Sequence, residues 1–406
     1  MLWQRLARLY RLTALVAFNV LLLLVVFNAA LAVYYWRAEK PAAKPPPEPR
    51  HRAAHIDPDG YRRTPPELAA RYIEEEDRMW NQGLEYAPWL QFRNPAFQGS
   101  LLNVDARGHR RTVEPRRPGP DAVRIYAFGG STTFGYGVPD EHTIPSRLQR
   151  LAEEKYPRRS IVVKNLGQPF YFSSQELLLL ISLLKEGDAP HWAVFLDGIN
   201  EVIQLGRQVD EPYYTETVRE LWDQRRRARP TPARDWSWVP MVRLARELAP
   251  ALERWRAHRS PPPPAPALPA ARPPPAPEAA NRDAERAADY VISRYTANVR
   301  LIEAVCREYR IECRFVWQPS PFYASDPGPH RPLPIPGGIP AHFEIVYRRM
   351  KDYRHPRFLY LGELFAGGKE KIFVDEVHYN EPASEAIAAR ILGLLTVTET
   401  PAPKRP

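Results

Sequence analysis

The sequence predicts an α/β domain on a parallel β-sheet covered by helices on both faces, carried behind one apolar N-terminal helix. Three observations lead there. Short apolar runs alternate with stretches of helical spacing from Val123 to the C-terminal region. Residues 12–36 contain no charged side chain. Two proline-dense stretches interrupt the alternating region without breaking its pattern.

The apolar run from Leu12 to Trp36 is long enough, at about 1.5 Å per residue, to span a bilayer with some tilt. Trp3 and Tyr10 at one end, and Tyr34, Tyr35 and Trp36 at the other, fit an aromatic belt. Ala30-Leu31-Ala32 has the form of a signal-peptidase site, but the run is too long for an ordinary signal peptide. Residues 1–38 are therefore expected to be an uncleaved signal anchor. Arg5, Arg8 and Arg11 precede it and Arg37, Lys40 and Lys44 follow it, so charge gives no clean vote on orientation. A short basic tail ahead of a first apolar segment favours placing the bulk of the chain outside the cytoplasm. The expectation is a single-pass membrane protein with its bulk outside the cytoplasm. Asn19 and Asn28 within the span are read as tolerated polar residues.

Residues 39–66 are proline-rich and charged, and read as a stiff linker. Residues 67–120 hold a helical stretch, Leu68–Trp80, and then aromatic, loop-like sequence, read as an extension packing on the domain that follows. The domain proper is placed at residues 121–396. Its expected strands are Val123–Phe128, Ile161–Val163, Trp192–Leu196, Ile311–Trp317 and Ile372–Val374. Its expected helices are Thr143–Tyr156, Gln175–Lys185, Asn281–Tyr309, His342–Tyr353 and Pro382–Leu395. Apolar strands between helices imply right-handed crossovers, with ligands at the carboxyl ends of the strands. Residues 260–278 read as a polyproline-type insertion, Pro319–Pro340 as a loop bordering the site, and 397–406 as a flexible tail.

Composition excludes several classes. Lys and Arg total 57 against 47 Asp and Glu, a net charge of +10, but the arginines are scattered and enriched together with Ala and Pro. No nucleic-acid partner is expected. Two cysteines cannot build a four-cysteine zinc site; Cys306 and Cys313 can pair only in an oxidising compartment.

Four polar segments follow expected strands. Gly129-Gly130-Ser131-Thr132-Thr133-Phe134-Gly135 puts a serine at a strand-to-loop junction. It lacks the lysine of a phosphate loop and the glycine spacing of a dinucleotide site, so no cofactor is expected; a plain turn has the same form. Asn165-Leu166-Gly167-Gln168 and Asp197-Gly198-Ile199-Asn200-Glu201 offer a backbone N–H and a side-chain amide, and each also reads as a turn. Asp375-Glu376-Val377-His378 puts a carboxylate within reach of an imidazole Nδ1, an arrangement equally open to a surface turn or a metal-ligand pair. Together the four supply a nucleophile, a base, its orienting group and oxyanion donors.

The order Gly130-Ser131, Asn165-x-Gly167, Gly198-x-Asn200-Glu201 and Asp375-x-x-His378 resembles the SGNH (GDSL-like) hydrolase family over residues 123–395. The resemblance implies a three-layer α/β/α, flavodoxin-like fold. It implies Ser131 as nucleophile, His378 as general base and Asp375 as its orienting group. Oxyanion donors would be Ser131 N–H, Gly167 N–H and the Asn200 amide, with neither cofactor nor metal. Two positions depart from the family: the nucleophile block reads Gly-Gly-Ser-Thr, and Glu201 stands where Asp is usual. Gly129–Gly135 followed by Val138-Pro139-Asp140-Glu141 is similar to a bacterial, membrane-anchored subgroup, whose Asn-x-x-Gly-[aromatic]-Arg element residues 103–110 resemble loosely. The implied activity is hydrolysis of acyl esters, on O-acyl groups of a cell-surface polysaccharide or lipid. An O-acetyltransferase would use the same residues, and a non-catalytic binding module would keep the fold without the reaction.

Overall fold

The computed structural model describes residues 2–38, 58–205, 239–245, 248, 277–323 and 339–397. They belong to two compact units, Met1–Glu48 with Gln224–Pro274, and Pro49–Asp223 with Pro275–Pro406.

The first unit contains α1, Leu2–Ala38, within which Leu6–Arg37 is long and apolar enough to cross a membrane. Asn28 is not idle: its Oδ1 accepts the Met241 N–H at 3.0 Å, and the Arg243 guanidinium lies 4.1 Å from the centre of the Tyr35 ring.

The second unit is built on five parallel strands: β5 (Val123–Gly129), β6 (Ile161–Asn165), β7 (Trp192–Asp197), β8 (Glu312–Trp317) and β9 (Phe358–Tyr360). They lie in the order β6-β5-β7-β8-β9. Side chains alternate between two cores, as a strand period of two requires. Val123, Ile125, Val163, Trp192, Val194, Leu196 and Val316 face α4 (Ile144–Lys155) and α8 (Glu381–Gly393). Tyr126, Phe128, Ala193, Phe195, Cys313, Phe315 and Trp317 face α5 (Ser173–Lys185), α6 (Pro277–Glu308) and α7 (His342–Lys351). The result is a three-layer α/β/α sandwich. Thr143 caps α4 by accepting the Ser146 N–H, and Asn380 caps α8 by accepting the Ala383 N–H. Both helices carry proline in the first turn, where no intrahelical donor is lost. Cys306 and Cys313 are buried, unbridged thiols.

Ahead of the sheet come α2 (Pro66–Trp80) and two antiparallel pairs, β1 (Glu85–Ala87) with β2 (Gln91–Arg93), and β3 (Phe97–Gln98) with β4 (Asn103–Val104). Helix α2 buries Ala69, Tyr72, Glu75, Glu76 and Met79, one stripe at helical spacing.

The structure corrects the fifth strand. Ile372–Val374 is not a strand of the sheet: Phe373 makes one antiparallel bridge to Tyr379, and the 372–380 backbone closes on itself through Val374 N–H to His378 O and Asn380 N–H to Ile372 O. The position is filled by Phe358–Tyr360, three residues paired with Phe315–Trp317. An edge strand this short carries too little periodicity to stand out between a proline and a glycine. Helix α6 begins at Pro277, ahead of the expected Asn281. Within the stretch read as linker, Pro58–Tyr61 forms a turn whose Tyr61 hydroxyl donates to Gly137 O at 2.8 Å; residues 39–57 lie outside the described residues. So do most of the proline insertion and residues 324–338 and 398–406, whereas Val397 is buried.

Candidate active site

Strand β5 is followed by a helix crossing to β6 on one side, and β6 by a helix crossing back past it to β7, on the opposite face. The carboxyl ends of β5 and β7 therefore splay their loops apart, and this reversal of winding is where open α/β sheets bind ligands. Ser131 follows β5 there, and Asn200 follows β7.

Ser131 is the first residue of the short helix α3 (Ser131–Phe134), after the extended Gly130. Its N–H, at a helix start, has no intrahelical acceptor. The serine is half-buried. Close packing explains the glycines around it. A Cβ on Gly130 would lie 2.3 Å from Asn200 Nδ2, and one on Gly167 would lie 2.2 Å from Phe134 N. The loops after β6 and β7 thus converge on the serine turn, as the sequence leads one to expect. The Asn200 amide donates to Tyr171 O at 2.7 Å. The Gly167 N–H donates to Asn165 Oδ1 at 3.1 Å, so a substrate oxygen would have to share or displace that bond. Asn165 also donates to Phe134 O, tying β6 to α3.

Asp375 and His378 lie on the self-closed turn ahead of α8, not behind a sheet strand. Asp375 is buried, with Oδ2 2.6 Å from His378 Nδ1 and Oδ1 accepting the N–H groups of Val377 and His378 at 2.9 and 2.8 Å. The imidazole stands edge-on to Tyr136, with ring centres 5.5 Å apart, and a Cβ on Gly137 would meet His378 Cβ at 3.7 Å. The segment that leaves Ser131 therefore runs directly under His378.

That segment is held by residues outside the four motif loops. Arg110, fully buried, donates to Asp140 Oδ1 (2.9 Å), Gly135 O (2.6 Å) and Val138 O (2.7 Å). Burial opposes its charge, but Tyr72 and Asp140 outweigh burial and push its pKa up. Asn103 donates to the other Asp140 oxygen at 2.9 Å. The loose Asn-to-Arg resemblance at 103–110 was the only signal for this clamp. Glu76 accepts the Gly137 N–H at 3.1 Å. On the other side, Thr132 donates to Gln318 Oε1 at 2.7 Å, and Tyr379 donates to Pro319 O at 2.6 Å, joining the serine helix and the histidine turn to the end of β8.

Among the described residues no cluster of three or more His, Cys, Asp or Glu is arranged to hold a metal ion. An open groove of about 1320 Å³ lies elsewhere, between the β6 edge and residues 103–115, and none of the four motif loops beyond Asn165 lines it.

No family model and no curated protein matches the chain. Solved structures match at low similarity. One is a lipase from a goat rumen metagenome, at 14% identity and a TM-score of 0.37, covering 67% of this chain and 97% of that one. Another is an acetyl xylan esterase, at 10% and 0.34, covering 68% and 100%. A third is a putative lipolytic protein of the G-D-S-L family from Desulfitobacterium hafniense, at 11% and 0.33, covering 67% and 99%. At these TM-scores the chemistry of the site rests on its own residues.

Proposed function

We propose that the chain is a membrane-anchored serine esterase of the SGNH type, acting on O-acyl groups of a cell-surface polysaccharide or lipid. The observation that carries the reading is the Asp375–His378 contact of 2.6 Å, set beside the loop that leaves Ser131. Asp375 holds the Nδ1 proton and leaves Nε2 as the base. Ser131 Oγ attacks the acyl carbon while its proton passes to His378 Nε2. The carbonyl oxygen takes up negative charge against the Ser131 N–H and the second amide hydrogen of Asn200, the first being held by Tyr171 O. The Gly167 N–H joins them by exchanging its Asn165 acceptor for the oxyanion. The imidazolium then protonates the leaving alcohol, and water or a sugar hydroxyl removes the acyl group from Ser131 by the same steps in reverse. Helix α1 anchors the protein, with the catalytic unit in the periplasm.

The test uses detergent-solubilised full-length protein. A fluorophosphonate labels the wild type on Ser131, and Ser131→Ala abolishes labelling and lowers ester cleavage by roughly 10³-fold or more. Turnover in Ser131→Ala equal to wild type overturns the assignment. Acyl-donor profiling with and without sugar acceptors separates hydrolysis from transfer, because only a transferase moves the acyl group to the sugar faster than to water.

A further inference from the structure

Strand β7 ends at Asp197, and the chain turns at Gly198, whose φ of +135° suits glycine and whose added Cβ would lie 2.9 Å from Tyr347 Oη. Asn200 sits two residues beyond that turn. Its position therefore depends on what fixes the turn against neighbouring elements.

The next residue does so. Glu201 is completely buried, and both its carboxylate oxygens accept backbone N–H groups: Oε2 from Gly198 at 3.0 Å and Oε1 from Ser173 at 2.6 Å. Ser173 opens α5, so its N–H is one of the donors a helix start leaves without an intrahelical acceptor. Tyr171, two residues earlier on the same loop, accepts the Asn200 amide. The loops after β6 and β7 are thus joined twice, once by Glu201 and once by Asn200. The far end of the second tie lies against Gly130, the neighbour of Ser131.

We propose that Glu201 is a positioning residue for the oxyanion donor Asn200, acting through the two backbone N–H groups that its carboxylate joins. The inference rests on the esterase reading above and deepens it. A carboxylate is needed because both donors point at oxygen. The amide of glutamine would offer one oxygen and turn an N–H toward the second donor, leaving it buried and unpaired. Removing that tie unlinks the Gly198 turn from the start of α5, leaving the turn its Val202 N–H bond to Gly198 O at 3.1 Å and the Asn200 side chain its bond to Tyr171 O.

Charge at this depth has company. Glu176 from α5, Asp197 from β7, Tyr295 from α6 and Tyr347 from α7 all press on the same region. Burial raises the Glu201 carboxyl above its ordinary value, opposed but not cancelled by its backbone N–H partners. Burial, and then repulsion among the neighbouring carboxyls, raise Glu176 and Asp197 well above their ordinary values.

The experiment measures kcat and KM for p-nitrophenyl acetate with detergent-solubilised full-length protein. Glu201→Gln is expected to lower kcat about 10²-fold with KM nearly unchanged, the pattern of a group acting through the oxyanion donor. In an Asn200→Ala background the same change is expected to cost less than about 3-fold, because the group it positions is gone. An equal loss in both backgrounds overturns the proposal. Should Glu201→Gln fail to fold, Ser173→Pro breaks the tie from its other end. Proline is accepted at the first position of a helix, and Phe172 before it is already extended, with φ −136° and ψ 173°. Ser173→Pro is expected to lower kcat about 10-fold or more at unchanged KM; a folded Ser173→Pro enzyme with wild-type kcat overturns the proposal. Failure of the esterase reading shows separately, as turnover that survives Ser131→Ala.

Discussion

Asp375 grips His378 twice: Oδ2 lies 2.6 Å from the ring Nδ1, and Oδ1 accepts the backbone N–H of the same histidine at 2.8 Å. Ring tautomer and backbone position are set together by a single carboxylate three residues away. The pair needs no distant element to align it, which suits a turn that closes on itself.

Asp375→Asn is expected to keep the fold, because the remaining carbonyl oxygen can still accept the Val377 and His378 N–H groups. Turnover is expected to fall by about 10⁴-fold, since the amide then turns a donor toward Nδ1 and favours the wrong tautomer. Ester hydrolysis beside circular dichroism checks both halves.

With Asp375 Oδ2 spent on Nδ1, the two side chains are poorly placed to bind a metal through those atoms. EDTA is expected to leave ester hydrolysis unchanged. Loss with EDTA and recovery with zinc would transfer Asp375 and His378 from a proton relay to a metal site.

Arg110→Met removes the donors to Asp140, Gly135 and Val138 at once and leaves Asp140 without its buried partner. Stability is expected to drop by about 3–5 kcal/mol, the usual cost of breaking a buried pair from one side. Urea unfolding of wild type and variant measures it; a change under 1 kcal/mol, on the order of a surface pair, would mean the clamp is dispensable.

Glu176 and Asp197 give stability a pH dependence of definite sign. Burial raises both carboxyls above their unfolded values, so the folded protein binds more protons than the unfolded chain. Their contribution is fully present below the ordinary carboxylate range and is lost as pH rises from there through the raised folded values. Asp197→Asn is expected to flatten this decline, read as Tm against pH from the acid side to neutrality and above. A wild-type Tm that rises through that window in parallel with the variant would contradict the assignment.

The anchor reading has its own test. Alkaline phosphatase fused after residue 66 is expected to be active in a bacterial host, and a reporter that works only in the cytoplasm is expected to be silent there. The reverse pattern places the catalytic unit inside.

The candidate site loops were legible because Gly130, Gly167 and Gly198 sit where a chain reversal demands a particular residue type. Gly130, Gly167 and Gly198 are spaces no side chain fits, and Ser131 and Asn200 stand beside them. Four of the five strands showed as short apolar runs, the central β5 and β7 almost wholly buried and the edge strand β6 fully buried on one face only. Phe358–Tyr360 did not, because three partly buried edge residues carry no period. Ile372–Val374 misled for the complementary reason: three apolar residues are buried there by a turn rather than by a sheet. Arg110, Glu176 and Glu201 were invisible as buried groups. A charged residue is read as solvent-facing unless its partner is known, and those partners lie 28 to 30 residues away for Arg110 to Asp140 and Val138, and for Glu201 to Ser173.

The loop at residues 135–138 takes its hydrogen bonds from a part of the chain that lies outside the sheet: Tyr61 to Gly137, Arg110 to Gly135 and Val138, Glu76 to the Gly137 N–H. A boundary drawn at residue 121, where the strands begin, would look natural on any diagram of the sandwich. It would also strip three backbone carbonyls and one N–H of their partners within a few residues of Ser131. An expression fragment that respects the chemistry therefore starts no later than Pro58, and a library of N-terminal truncations should lose activity in steps as it passes Tyr61, Glu76 and Arg110, well before it reaches the first strand of the sheet.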